Sequence, residues 1–114
     1  MEITYSDLYE GKRLGCINPD AETNTTLYTC SPTLAMAFLV IVCNTSDEDA
    51  TFRLAHTDGT LAEEDWLYYG YEVQGNDSVA LMLDLTLSQS DTLDVWASSG
   101  DLNFFAQGYE KSGT

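Results

Sequence analysis

Few side chains in this sequence could do chemistry, and their spacing does not favour catalysis. The lone histidine, His56, lies beside Thr57-Asp58-Gly59, where a hydrogen-bonded turn residue is a better interpretation than a general base. The sequence contains no Gly-x-Ser-x-Gly nucleophile motif and no glycine-rich phosphate loop between a strand and a helix. We therefore predict a protein that is not an enzyme and that uses no cofactor.

The cysteines and acidic runs could in principle bind a metal. Cys16, Cys30 and Cys43 form no Cys-x-x-Cys pair and have no histidine nearby, so we predict no metal site. Cys43 ends an apolar run and Cys30 follows Leu27-Tyr28, so we expect buried free thiols at these positions. A Cys30–Cys43 disulfide is the alternative if their strands are neighbours. The runs Asp47-Glu48-Asp49 and Glu63-Glu64-Asp65 are expected to be solvated loops, with a calcium site as the alternative, although no EF-hand spacing supports it.

Charge narrows the range of partners. Nineteen acidic residues and four basic ones give a formal net charge of −15. This charge repels nucleic-acid phosphates and anionic membranes, so we expect neither as a partner. Three interpretations stay open: a halophilic protein, a protein docked on a basic partner, or an acidic protein that is simply soluble. Salt should stabilise the fold, because the Debye length falls from about 10 Å at 0.1 M to about 3 Å at 1 M.

The elements that position these residues are strands. Leucines 81, 83, 85 and 87 alternate with more polar residues, and the same period of two recurs over residues 92–97 and 102–107. The apolar run Leu34 to Cys43 is too short to span a membrane and is expected to be a buried strand. Only Leu61 to Asp65 could form a helical turn. We predict an all-β fold, an antiparallel β-sandwich of about seven strands with immunoglobulin-like or jelly-roll topology.

Domain organisation is predicted to be simple. Residues 24–114 form the β-sandwich domain, and residues 1–23 form an extended N-terminal arm that carries Lys12 and Arg13. The arm either lies across a neighbouring subunit or is a loose terminus, and both interpretations stay open.

Large apolar residues on otherwise polar strand faces are candidates for a subunit interface. They are Trp66, Met82, Trp96 and Phe105, to which the arm adds Lys12 and Arg13. The alternative is that another sheet or loop of the same chain covers them.

A series of short motifs runs through most of the chain. From the N-terminal side they are Leu14-Gly15-x-x-x-Pro19, Thr26-Leu27-Tyr28-Thr29-Cys30-x-Pro32, Val42-Cys43-Asn44 and Thr51-Phe52-Arg53-Leu54. They continue as Leu67-Tyr68-Tyr69, Asn76-Asp77-Ser78, the leucine strand 81–87, Asp91-Thr92-Leu93-Asp94-Val95-Trp96-Ala97-Ser98 and the phenylalanine-rich segment 104–108. From about Leu14 onward, this order resembles small β-sandwich virion proteins of tailed viruses. Cys16 and Cys30 depart from it, standing where a polar amide and a valine are common.

The resemblance implies a non-enzymatic structural protein located in the virion. It would be a capsid decoration or cement protein that docks on the major capsid protein or other virion subunits, or a neck, tail or fibre component. A homo-oligomer is expected, with a homotrimer as the working guess, and the charge suggests a virus of a salt-loving host. The alternative class is a module that presents Tyr68, Tyr69 and Tyr71 to a host glycan or receptor.

Overall fold

Eight strands make up most of the part of the chain that the structure describes. A computed structural model describes the backbone of residues 9–111 and the side chains of residues 11–111. The strands are β1 (Tyr9–Ile17), β2 (Thr25–Thr29), β3 (Leu34–Asn44), β4 (Ala50–Thr57), β5 (Trp66–Val73), β6 (Ser78–Ser88), β7 (Thr92–Ala97) and β8 (Leu102–Lys111). A single 3-10 turn, Glu63–Asp65, lies within the predicted helical turn. The all-β prediction is confirmed, and the strand number is corrected from seven to eight.

The strands form two antiparallel sheets of four. The first sheet has the order β1-β8-β3-β6 and the second the order β2-β7-β4-β5. Pairing is nested, since β1 pairs with β8, β2 with β7, β3 with β6 and β4 with β5. The further pairs β3–β8 and β4–β7 join these four pairs into the two sheets. The predicted antiparallel, sandwich-like arrangement is confirmed.

The core lies between the two sheets and is built from the inward side of each strand. Phe52 of β4 and Phe104 of β8 are fully buried, and their rings meet edge to face with centroids 5.8 Å apart. In β6, Leu81 and Leu87 are buried, and the residues that alternate with the leucines face solvent. Strands β7 and β8 show the same alternation. The predicted inward faces of these three strands are confirmed, and each leucine buried in this way contributes about 1.5–3 kcal/mol.

Strand β1 corrects the prediction of an N-terminal arm. Residues 1–8 lie outside the described part of the chain, but Tyr9–Ile17 pairs along β8 as an edge strand of the first sheet. A bulge between Arg13 and Gly15 breaks the alternation that would have marked a strand. Gly15 is required there, because a Cβ atom at this position would lie 2.2 Å from the Leu27 carbonyl oxygen. This close approach brings β1 against β2 of the other sheet.

The three cysteines lie in different environments. All are free, with Cys30 buried in the core, Cys43 half-buried and Cys16 exposed. The expectation of buried thiols is therefore confirmed for Cys30 and met only in part by Cys43, and the alternative Cys30–Cys43 disulfide is not formed. Within residues 9–111, no helix is long and apolar enough to cross a membrane.

Candidate interaction surfaces

Strand β3 is apolar on both of its sides, but within residues 9–111 only one side has a sheet to pack against. Its inward residues are buried; they are Ala35, Ala37, Val40 and Val42. Its outward residues are half-buried or exposed; they include Met36, Phe38, Leu39 and Ile41. An unbroken apolar run normally belongs to a strand covered on both faces. The prediction of a buried strand over Leu34 to Cys43 is therefore right for one face and wrong for the other.

Neighbouring strands extend this apolar surface, which we call the outer face of the first sheet. Phe105 of β8 lies opposite Ile41, and Met82 of β6 lies opposite Leu39. Met82 is 67% exposed. Two of the predicted interface residues, Met82 and Phe105, are thus brought to one surface. The outward residues of β3 were not among the candidates, although the length of the apolar run was a usable signal for them.

The outer face of the first sheet differs in charge from the rest of the molecule. Arg13 and Lys111, two of the four basic residues, alternate along their strands with the inward-facing Lys12 and Glu110. On the same face, Asp84 is the one acidic side chain of the described residues. The other described acids lie in turns, on the second sheet or on the inner side. The apolar surface is therefore also the surface that carries the least negative charge.

The second sheet carries an aromatic cluster on its outer face. The Arg53 guanidinium carbon lies 3.8 Å from the ring centroid of Trp96 and 4.1 Å from that of Tyr69. Trp66 completes the cluster, with its ring centroid 5.9 Å from the same carbon. Ala55, also on β4, is fully buried but does not belong to the core between the sheets. Trp66 and Trp96, both predicted for an interface, are half-buried and enclose a cation of their own chain. Neighbouring side chains of the same sheet, rather than a second sheet or a loop, account for the burial of these two residues.

The three tyrosines proposed for glycan binding do not share a surface. Tyr69 lies beside Arg53 on the outer face of the second sheet. Tyr68 and Tyr71 instead contact the core residue Phe52, with ring centroids 6.3 Å and 5.3 Å away. They therefore cannot form one stacking platform with Tyr69 in this arrangement.

Lys12, also predicted for the interface, belongs to a cluster that joins the two sheets. Its Nζ donates to Glu110 Oε1 at 2.8 Å, and the Tyr28 hydroxyl donates to Glu110 Oε2 at 2.5 Å. Burial raises the pKa of Glu110, but the bonds from Lys12 and Tyr28 outweigh it and hold that pKa below its usual value. Burial and the adjacent Glu110 carboxylate raise the pKa of Tyr28. The cluster links β1 and β8 of the first sheet to β2 of the second.

His56 is likewise hydrogen-bonded to a carboxylate, that of Asp91. Its Nε2 lies 3.0 Å from Asp91 Oδ2, which also accepts the backbone N–H of Ser88. Burial raises the pKa of Asp91, but these two hydrogen bonds outweigh it and lower that pKa. The predicted hydrogen bond of His56 is confirmed, but the residue lies within strand β4 rather than in a turn. Across residues 9–111, no group of three or more His, Cys, Asp and Glu side chains is placed to hold a metal ion.

No protein-family model matches the chain, and no curated protein matches it.

Proposed function

We propose that this protein is a non-enzymatic structural subunit of a virus particle that assembles through the outer face of its first sheet. One observation carries the proposal: β3 is apolar on both sides, whereas the described part of the chain has two layers and covers one of those sides. On the other side, among the described residues, Phe38 and Met82 are exposed and Ile41, Leu39 and Phe105 are half-buried. Contiguous apolar surface of this kind marks a site where another protein packs.

We infer that the sandwich is a jelly roll rather than an immunoglobulin-like fold. The nested pairing of β1 with β8, β2 with β7, β3 with β6 and β4 with β5 supports this topology. Jelly rolls occur in viral capsid proteins and in lectins, so the topology is compatible with both function classes. The resemblance to small virion proteins favours the first class, and the separation of Tyr69 from Tyr68 and Tyr71 weighs against the second.

The distribution of charge fits a subunit that is exposed to concentrated salt and contacts its neighbours through one face. Acidic side chains occupy the turns, as at Asp47, Glu48 and Asp49, which are all exposed. Among the residues whose side chains the structure describes, the outer face of the first sheet carries no such cluster. We propose a halophilic virus as the source and capsid decoration as the role, with a neck, tail or fibre position as the alternative.

Purified particles of the virus that encodes this chain would test the proposal. We expect the chain in the particles at a fixed copy number, measured by quantitative mass spectrometry, and at a symmetric position in a density map. Met82→Lys should reduce incorporation, because it places a charge on the apolar face. Leu67→Lys is the matched control, since Leu67 is also an exposed apolar residue but lies on β5 of the other sheet. A chain absent from purified particles would refute the role.

A further inference from the structure

We propose that the subunit covering the outer face of the first sheet is a second copy of this chain. The two copies pack face to face about a two-fold axis that runs parallel to the strands. This inference deepens the proposed function and rests on it only for the statement that the face is covered. It replaces the expected homotrimer with an isologous pair, in which the same surface of each copy meets the other.

Charge is the first argument for a second copy. Two chains that each carry a formal charge of −15 repel one another over most relative orientations. The repulsion is smallest where the facing surfaces carry few acids. The outer face of the first sheet meets this condition, since it holds Arg13 and Lys111 against Asp84 alone among its described residues. The apolar surface and the surface on which two copies can approach are therefore the same.

Opposite charges that face each other across the two-fold axis also favour a second copy. Strands β1 and β6 are the opposite edges of the first sheet. A two-fold axis parallel to the strands therefore lays β1 of one copy over β6 of the other. Arg13 lies in the same cross-strand row as Gln107, Leu39 and Met82, and Asp84 is two residues further along β6. Each Arg13 then comes near the partner's Asp84, and the symmetry makes this contact twice.

The size of the face is sufficient for a stable pair. Four strands spaced about 4.8 Å apart, each about ten residues long at about 3.4 Å per residue, cover roughly 650 Å². Two such faces bury roughly 1,300 Å², which lies inside the range of about 1,200–2,000 Å² typical of specific interfaces. The centre of the contact would be Leu39, Ile41 and Phe105, which are already half-buried within one copy.

Sedimentation velocity of the isolated full-length chain tests the pairing. The measurement is made at about 0.15 M and about 1 M KCl, where the Debye lengths are about 8 Å and about 3 Å. We expect a dimer. Arg13→Glu and Asp84→Lys should each raise the dimer dissociation constant about tenfold at the lower salt, because each turns two attractive contacts into repulsive ones. The double variant, with its net charge unchanged, should return to within about twofold of the parent. Met82→Lys should produce monomer.

Glu72→Lys is the matched control, because it makes the same charge change as Asp84→Lys on an exposed residue of the second sheet. It should leave the dimer intact or tighten it slightly. All these positions are exposed, so circular dichroism should show an unchanged fold.

A monomer or trimer in solution, or a double variant as weak as the single ones, would overturn the pairing. If the chain is monomeric but present in particles, only the pairing fails. If it pairs but is absent from particles, only the proposed function fails.

Discussion

Removal of the Tyr28 hydroxyl tests the cluster that joins the two sheets. In Tyr28→Phe, the ring stays in the core but the 2.5 Å hydrogen bond to Glu110 is lost. A hydrogen bond to a charged group contributes about 1.5–3 kcal/mol. Glu110 keeps its bond to Lys12, and its side chain is 19% exposed, so water can replace part of the lost interaction. We therefore expect the free energy of unfolding to fall by about 1.5 kcal/mol at pH 7.

The effect should depend on pH with a defined sign. Although burial raises it, the Lys12 and Tyr28 bonds hold the pKa of folded Glu110 below its unfolded value. The stability from the ionised carboxylate is therefore fully present above the unfolded pKa and is lost as pH falls through the folded pKa. The destabilisation caused by Tyr28→Phe should shrink over the same interval, because a protonated carboxyl group is a weaker acceptor.

Urea unfolding in about 1 M KCl, followed by tryptophan fluorescence, would measure these changes. A double-mutant cycle with Glu110→Gln at pH 7 should give a coupling free energy of about 1 kcal/mol. Tyr69→Phe is the matched control, because the Tyr69 hydroxyl forms no hydrogen bond to the described residues, and it should change stability by less than about 0.5 kcal/mol. A Tyr28→Phe effect that is constant between pH 7 and pH 3, together with zero coupling, would refute this account of the cluster.

Three further outcomes are expected. The melting temperature should rise between low salt and molar KCl as the carboxylates are screened, and a flat response in a calorimetric scan would point to a basic docking partner as the reason for the charge. Gly15→Ala should cost about 2 kcal/mol or more in urea unfolding, because its Cβ atom meets a backbone carbonyl of the facing strand. Gly100→Ala, with no atom within 4 Å, should be nearly neutral, and equal costs would contradict the packing. Native alkylation followed by intact mass should label Cys16 first, Cys43 more slowly and Cys30 only on unfolding, since burial shields Cys30 and raises its pKa. Early labelling of Cys30 would contradict its place in the core.

Strands with one buried and one solvated face were predictable from the sequence. In β6, Leu81 and Leu87 alternate with Met82 and Asp84, and this period alone assigns the inner and outer sides. Strand pairing could not be predicted in the same way, because nothing local in β8 specifies that it lies between β1 and β3. Such pairing depends on the packing of residues far apart in the sequence.

Glycines and ambiguous apolar runs account for most of what the sequence did not predict. Strand β1 was not predicted because its sequence lacks the alternation of apolar and polar residues. The alternation is interrupted by Gly11, Gly15 and the bulge after Arg13, which also let the strand pack closely. The candidate surface was predicted in part, through Met82 and Phe105. The outward side of β3 was not, because a continuous apolar run is consistent with burial on both faces until the number of layers is known.

The nested pairing also sets an order on folding. Pairing of β4 with β5 closes the shortest loop, whereas β1 has to wait for β8, whose residues lie roughly ninety positions further along the chain. Folding rates fall as contacts become more distant in sequence, so this domain should fold in milliseconds to seconds. During translation, β1 has no strand to pair with until β8 has left the ribosome. Until then β3 has an unpaired edge where β8 will lie, and in that interval aggregation competes most strongly with folding.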